Sequence, residues 1–207
     1  GNIGFNKGKI KSLGNMTEFG AETRWASSEI GEEYRLIVGG QVGEIYGYQS
    51  AGRYEVSDFE GYDEASGKWI LKEGVADASD VIGTVRPGSM KLVDQEIENE
   101  DGTKSRNGKI GEEDKVKIGN VNPDFTGGFA LNAHAFGFDL AANFNFSVGN
   151  QVYNANKIEC TQTGKYQYRN MITEMADGKR WTNLNEDGTL CNDPAKLAEM
   201  NKNTTMW

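Results

Sequence analysis

Between Phe125 and Val148 the chain alternates apolar and polar residues with a period of two, on either side of the tight turn Ala135-Phe136-Gly137-Phe138-Asp139. Successive strand side chains point to opposite faces, so this is the pattern of a β-hairpin. In the first run Phe129, Leu131, Ala133 and Ala135 share a face, with Ala130, Asn132 and His134 opposite. In the second, Phe138, Leu140, Ala142, Phe144, Phe146 and Val148 oppose Asp139, Ala141, Asn143, Asn145 and Ser147. A sheet lying on an ordinary core alternates too, so alternation does not by itself imply a membrane. Length says more. Roughly ten alternating residues per strand, a short turn at one end and very long connections at the other are the form of a transmembrane β-barrel.

The rest of the chain divides around that hairpin. A weaker strand opens it over residues 1–13, with Ile3 and Phe5 facing one way and Asn2, Gly4 and Asn6 the other. Residues 14–122 form a long loop region with short strand-like pieces at 34–38, 44–48, 68–72 and 89–93, none long enough to span a bilayer. The hairpin occupies 123–150, and 151–207 is a second long loop with helical signals at 168–176 and 193–200. In the latter, Asp193 suits the N-cap and Pro194 the first helical turn. The expected class is all-β, with short helices confined to loops. Loops this long without a core of their own are usually functional.

Composition narrows the chemistry. The chain has 27 glycines against 3 prolines, and its mean hydropathy is −0.64, which is turn-rich and wet for a compact soluble domain. Its net charge of −9 repels nucleic acid and argues against binding an anionic membrane surface. No run approaches the roughly 18 apolar residues of a membrane helix, the start lacks the features of a signal peptide, and both ends are expected to be cuts within a longer chain. Cys160 and Cys191 are too few for a disulfide framework; two unpaired surface residues and one bridge closing a long loop both remain open. His134 is the sole histidine and sits mid-strand beside polar neighbours, so a Ser-His-Asp triad has only one place to form, and a polar barrel-interior residue is expected there. No carboxylate pair has an evident proton-transfer partner, and no phosphate-binding glycine pattern appears. No enzyme activity, cofactor or metal is expected. The aromatic residues of the long loop, with Tyr46, Tyr48, Tyr54 and Trp69 as the candidate binding residues beside Phe59 and Tyr62, suit stacking on sugar rings or a partner protein, or packing within the loop.

Several segments carry a resemblance. Ile118-Gly119-Asn120-Val121-Asn122-Pro123-Asp124-Phe125-Thr126-Gly127-Gly128-Phe129 resembles the "IGNPNPxFxxGF" signature of SusC/RagA-type TonB-dependent transporters, and Phe136-Gly137-Phe138-Asp139-Leu140 their "YKGFDL" turn. The run from Phe144 to Asn154 is similar to "FxGSYGNDIYN", the run from Gly39 to Tyr48 to "GxPIGSFYGY", the run from Asn6 to Gly14 to "NKNKIVSLG", and Arg180-Trp181-Thr182 to "RWT". These stand in the family's order and cover nearly the whole chain. The resemblance implies antiparallel strands of an incomplete outer-membrane β-barrel with extracellular loops, set among outer-membrane lipids. It also implies a SusD-like lipoprotein lid, TonB engaged through parts of the protein that this sequence does not include, and an oligosaccharide or peptide cargo. Tyr46, Tyr48, Tyr54 and Trp69 would then contact ligand or lid.

One departure matters. Where the family often carries an acidic loop like "DxNGDGxIDxxD", this chain has Asp94, an acidic insertion (Glu96, Glu98, Glu100, Asp101) and Asn107-Gly108-Lys109-Ile110-Gly111-Glu112-Glu113-Asp114. Asn107 and Gly111 stand where carboxylates are expected, so a solvated acidic loop is the prediction rather than a calcium site. The alternative to a transporter is a soluble carbohydrate-binding or surface-adhesion β-domain. A soluble sandwich would show strands at a regular spacing of about 8 to 12 residues, and the Phe-rich face would be an exposed patch in it.

Overall fold

A computed structural model describes residues 1–22, 31–99, 102–162, 164, 168–176 and 178–205. Along the chain these form β1 (Asn2–Gly4), β2 (Glu18–Ala21), β3 (Tyr34–Ile37), β4 (Glu44–Tyr48), β5 (Ser50–Arg53), β6 (Phe59–Asp63), β7 (Lys68–Leu71), α1 (Ser79–Ile82), β8 (Met90–Leu92), β9 (Ile97–Glu98), β10 (Lys104–Ser105), β11 (Lys115–Asn120), β12 (Phe125–Ala135), β13 (Phe138–Val148), α2 (Ala155–Thr161) and α3 (Pro194–Asn201). The protein is mostly β-strands in antiparallel sheets with few helices, and the sheets form no closed barrel among the described residues. It divides into two compact units, Gly1–Gly47 with Lys117–Ala155 and Tyr48–Val116 with Asn156–Trp207.

The first unit holds the expected hairpin. β12 and β13 run antiparallel in unbroken register from Phe125↔Val148 to Ala135↔Phe138, and β1 adds to the far edge of β12, with Ile3 opposite Gly127. Directly opposed residues of an antiparallel pair point to the same face. The register therefore sets Phe129 with Phe144, Leu131 with Ala142 and Ala133 with Leu140 on one face, and Asn132 with Ala141 and His134 with Asp139 on the other. The turn residues Phe136 and Gly137 have φ of 54° and 79°, the positive values a two-residue turn needs to match the strands' twist. At Gly127 the ring of Phe146 lies across the strand where a side chain would stand: a Cβ there would come within 2.5 Å of that ring. A second sheet in this unit has the order β11-β4-β3-β2.

The second unit has a small core of its own, made of Tyr54, Phe59, Ala78, Leu92 and Ile110 with Trp69, Leu71, Val75 and Met90 packed around it. Two antiparallel pairs, the hairpin β6–β7 and the long-range pair β5–β8, supply most of it. Ile110 is brought in by a loop: the Asp77 N–H donates to the Gly108 carbonyl and the Ile110 N–H to the Asp77 carbonyl, each at 2.9 Å. α3 begins as expected, with Asp193 Oδ1 accepting from the N–H groups of Ala195 and Lys196 at 2.8 and 3.1 Å and Pro194 following. Its fully buried Leu197 and nearly buried Asn201 anchor it, and Asn201 exchanges hydrogen bonds with the Thr182 backbone.

Two expectations differ from the structure. The helical signal at 168–176 yields only a 3₁₀ turn at Thr173–Met175, because a few apolar residues at helical spacing do not stabilise a helix that lacks caps and a face to bury. The helices α1 and α2 and the strands β2, β5, β6, β9, β10 and β11 form where no element was expected. Most are strands of two to five residues whose partners, not their own pattern, keep them extended. Replacing Ile110 with Ala is expected to destabilise the second unit by about 2–5 kcal/mol, since the side chain is fully enclosed. Urea unfolding read from tryptophan fluorescence tests this; an unchanged midpoint would mean Ile110 is not a core residue.

Candidate functional site

Two features of the structure carry candidate function: the apolar face of the hairpin sheet and the aromatic cluster of the second unit. On the face, Phe129, Phe138, Phe144 and Phe146 are 51, 79, 48 and 36 % exposed, and Leu131 and Leu140 more than half exposed. With each ring offering about 200 Å², these phenylalanines alone expose several hundred Å², and Phe5, Ile3, Leu131 and Leu140 add to it. That exceeds the few hundred Å² a soluble monomer normally leaves contiguous. The rings are ordered against each other: Phe129 stacks on Phe144 with centroids 4.6 Å apart, and Phe125 meets Phe5 at 5.9 Å and Phe146 at 6.2 Å. Strands of 11 residues extend about 34 Å, which at a tilt near 45° covers about 25 Å of depth, the height of the apolar band on an outer-membrane barrel. The opposite face carries Asn132, His134, Asp139, Asn143 and Asn145. His134 is exposed there and its Nδ1 lies 2.5 Å from Asp139 Oδ1, a cross-strand pair beside the turn. Among the described residues, Asp139 is the side chain hydrogen-bonded to this imidazole.

The four candidate binding residues do not form one site. Tyr46 belongs to the first unit, half-buried under the Arg35 guanidinium, whose carbon is 4.4 Å from the ring centre. Tyr48 is half-buried in the second, with Lys115 Nζ 5.3 Å from its ring centre and its hydroxyl donating to Glu112 Oε1 at 3.5 Å. Its phenol is pushed up to about 12, first by burial and then by the Glu112, Asp114 and Glu113 carboxylates. Tyr54 corrects the expectation. It is fully buried, its hydroxyl donates to the Ala76 carbonyl at 2.6 Å and accepts from the Ala78 N–H at 3.2 Å, and burial raises its phenol. A residue so enclosed presents nothing to a ligand or a lid; its ring packs against Phe59 at 5.9 Å in the core of that unit. Trp69 stands between Phe59 and Tyr62 at 5.6 and 5.7 Å, edge to face.

The remaining surface of Trp69 lines a cleft of about 520 Å³ with Tyr62, Lys68, Asp77, Arg86 and Asn183. An aromatic wall among charged and amide groups suits a polar ligand with a flat apolar side. Sequence reading missed Trp181, which is buried beneath the Arg53 guanidinium at 4.7 Å, while Arg53 also donates to Thr204 at 2.7 Å. The Arg-Trp-Thr tripeptide signalled its place but not this role. Cys160 and Cys191 are both free, and Cys191 is buried rather than on the surface. The acidic loop also differs from expectation. Asp94 and Asp114 are buried, because each caps backbone N–H groups of the turn that delivers Ile110. Glu100 and Asp101 lie outside the described residues. No protein-family model matches this chain, and no curated protein matches it.

The raised Tyr48 phenol has a pH consequence. The folded form holds the proton more tightly than an unfolded tyrosine titrating near 10. Its contribution to stability is therefore intact below about pH 10 and is lost as the pH climbs towards about 12. Absorbance titration of tyrosinate should show one late phenol fewer in Tyr48→Phe, and a shallower loss of stability over that interval. Identical titration curves for variant and parent would refute the assignment.

Proposed function

We propose that this chain is part of a SusC/RagA-type TonB-dependent outer-membrane transporter, contributing strands to the barrel and loops to its external rim. The observation that supports this best is the hairpin sheet, whose two faces separate into an uncovered apolar surface and a polar one along strands of membrane-spanning length. The short Phe136-Gly137 turn suits the periplasmic end of a barrel, which leaves the segments 14–122 and 151–207 on the extracellular side. The motifs supply the rest of the reading: a SusD-like lipoprotein lid, coupling to TonB through domains beyond this sequence, and an oligosaccharide or peptide as cargo. The chain itself carries no reaction. In this arrangement the polar face with His134 and Asn143 lines the barrel interior, and the Trp69 cleft is available to cargo. That same cleft favours a second reading, a carbohydrate-binding or adhesion β-domain, in which the Phe face would be covered by protein rather than lipid.

The two readings separate on one pair of substitutions near the middle of β13, made in the intact transporter. Phe144→Arg would set a charge against lipid at a cost of about 2–4 kcal/mol near the bilayer midplane, whereas Asn145→Arg would point into the polar interior and be tolerated. The expected outcome is loss of heat-modifiable, outer-membrane barrel for Phe144→Arg and normal assembly for Asn145→Arg. Equal assembly of both, or secretion of a soluble product, would defeat the transporter reading.

A further inference from the structure

The loop from 94 to 114 contains two buried carboxylates for which no ion pair is found among the described residues. Asp94 is 9 % exposed; its Oδ2 accepts from the Gly108 N–H at 2.8 Å, while its Oδ1 is buried with no hydrogen-bond partner. Asp114 is fully buried, its Oδ1 accepting from the Gln95 N–H and its Oδ2 from the Gly111 N–H, both at 2.7 Å. Because Gln95 adjoins Asp94 and Gly108 precedes Gly111 by one turn, these bonds aim both carboxylates into the same turn. The lysines that follow are engaged elsewhere, Lys115 with Glu112 and Lys117 with Glu44. Backbone N–H groups satisfy Asp94 Oδ2 and both Asp114 oxygens, whereas the orphaned Asp94 Oδ1 points to an ion or water in its place.

We propose that Asp94 and Asp114 bind a calcium ion within the 107–114 turn. Asp94 Oδ1 supplies a free ligand oxygen, and each Asp114 oxygen keeps a lone pair beyond the N–H it accepts. Among the described residues no three acidic, cysteine or histidine side chains converge, so the other ligands are backbone carbonyls, amide oxygens and water. Calcium takes six to eight oxygens of such mixed origin in flexible geometry, whereas magnesium demands a tight octahedron and keeps most of its waters. Bound there, the ion would fix the turn that inserts Ile110 into the core. The inference does not rest on the transporter reading.

The test uses the full 207-residue chain in detergent, stripped with EGTA, and titrated with calcium by calorimetry and by thermal unfolding. Binding is expected with Kd near the 10⁻⁴–10⁻³ M typical of extracellular calcium modules, roughly, with a rise in Tm that magnesium does not reproduce. Asp94→Asn, chosen because it keeps the Gly108 hydrogen bond, should weaken calcium binding by at least about tenfold. Terbium luminescence sensitised by the loop tyrosines, displaced by calcium, reads the same site in the unsubstituted chain should the variant fail to fold. No calcium response up to about 10 mM, an equal response to magnesium, or undiminished binding by folded Asp94→Asn would overturn the site. So would an Asp94→Asn chain that is more stable than the parent and calcium-silent like it, since that is the signature of a buried uncompensated acid.

Discussion

The register between β12 and β13 is the constraint on which the first unit depends. Strand side chains have a period of two, so a slip of one residue would exchange every member of one face for its neighbour. Asn143 and Asn145 would then stand among the phenylalanines, and Phe144 among the asparagines. Unbroken pairing over all 11 positions prevents this, and the two-residue turn allows no slack at the closed end. The cost of that order is an apolar face with no protein cover in the chain as it stands. Phe146 lies over Gly127 and Phe129 on Phe144, which fills the local gaps but leaves the outer surfaces of the rings open. A surface so composed is stable only against something equally apolar.

The second unit solves the opposite problem. It buries little apolar material, and polar side chains complete what the short strands leave undone. Tyr54 hydroxyl, Asp94, Asp114 and Asn201 each accept or donate to backbone groups in loops. A buried backbone N–H without a partner costs as much as a lost hydrogen bond, so these side chains stand in for the ladder that long strands would have provided. This explains how a glycine-rich loop region holds a defined shape with a core of only a few residues. It also explains why charge resides inside it: a carboxylate accepts several N–H groups at once, which no neutral side chain does as well.

How much of this was legible follows from the scale of each signal. The hairpin was readable to the residue because its period extends over 11 positions on both strands. The start of α3 was readable because Asp193 and Pro194 act locally. Short strands such as β4 at Glu44–Tyr48 were found by their β-branched and aromatic residues, whereas β6, with Gly61 at its centre, was not, because its extended form comes from pairing with β7. Among the candidate binding residues, the sequence distinguished aromatic from other side chains but not buried from exposed. Tyr54 and Trp69 both pack on Phe59, and only the hydroxyl of Tyr54 is closed in by Ala76 and Ala78, a tertiary difference. Likewise, spacing alone portrayed Asp94 and Asp114 as members of a wet acidic stretch, since nothing local announces that the chain between them folds back onto Asp77.

Phe136 is almost completely exposed, at 98 %, yet holds a left-handed φ of 54° that a bulky residue adopts at a penalty of roughly 1–2 kcal/mol. Asparagine would close the same turn with less strain. A ring kept in water at conformational expense contributes nothing to folding of the hairpin. In the proposed barrel this ring would instead stand at the rim of the bilayer, where it meets lipid and not water. The turn would then act as a float rather than as a hinge, setting how deep the strands ride and holding that depth when the loops at the other end are loaded or displaced.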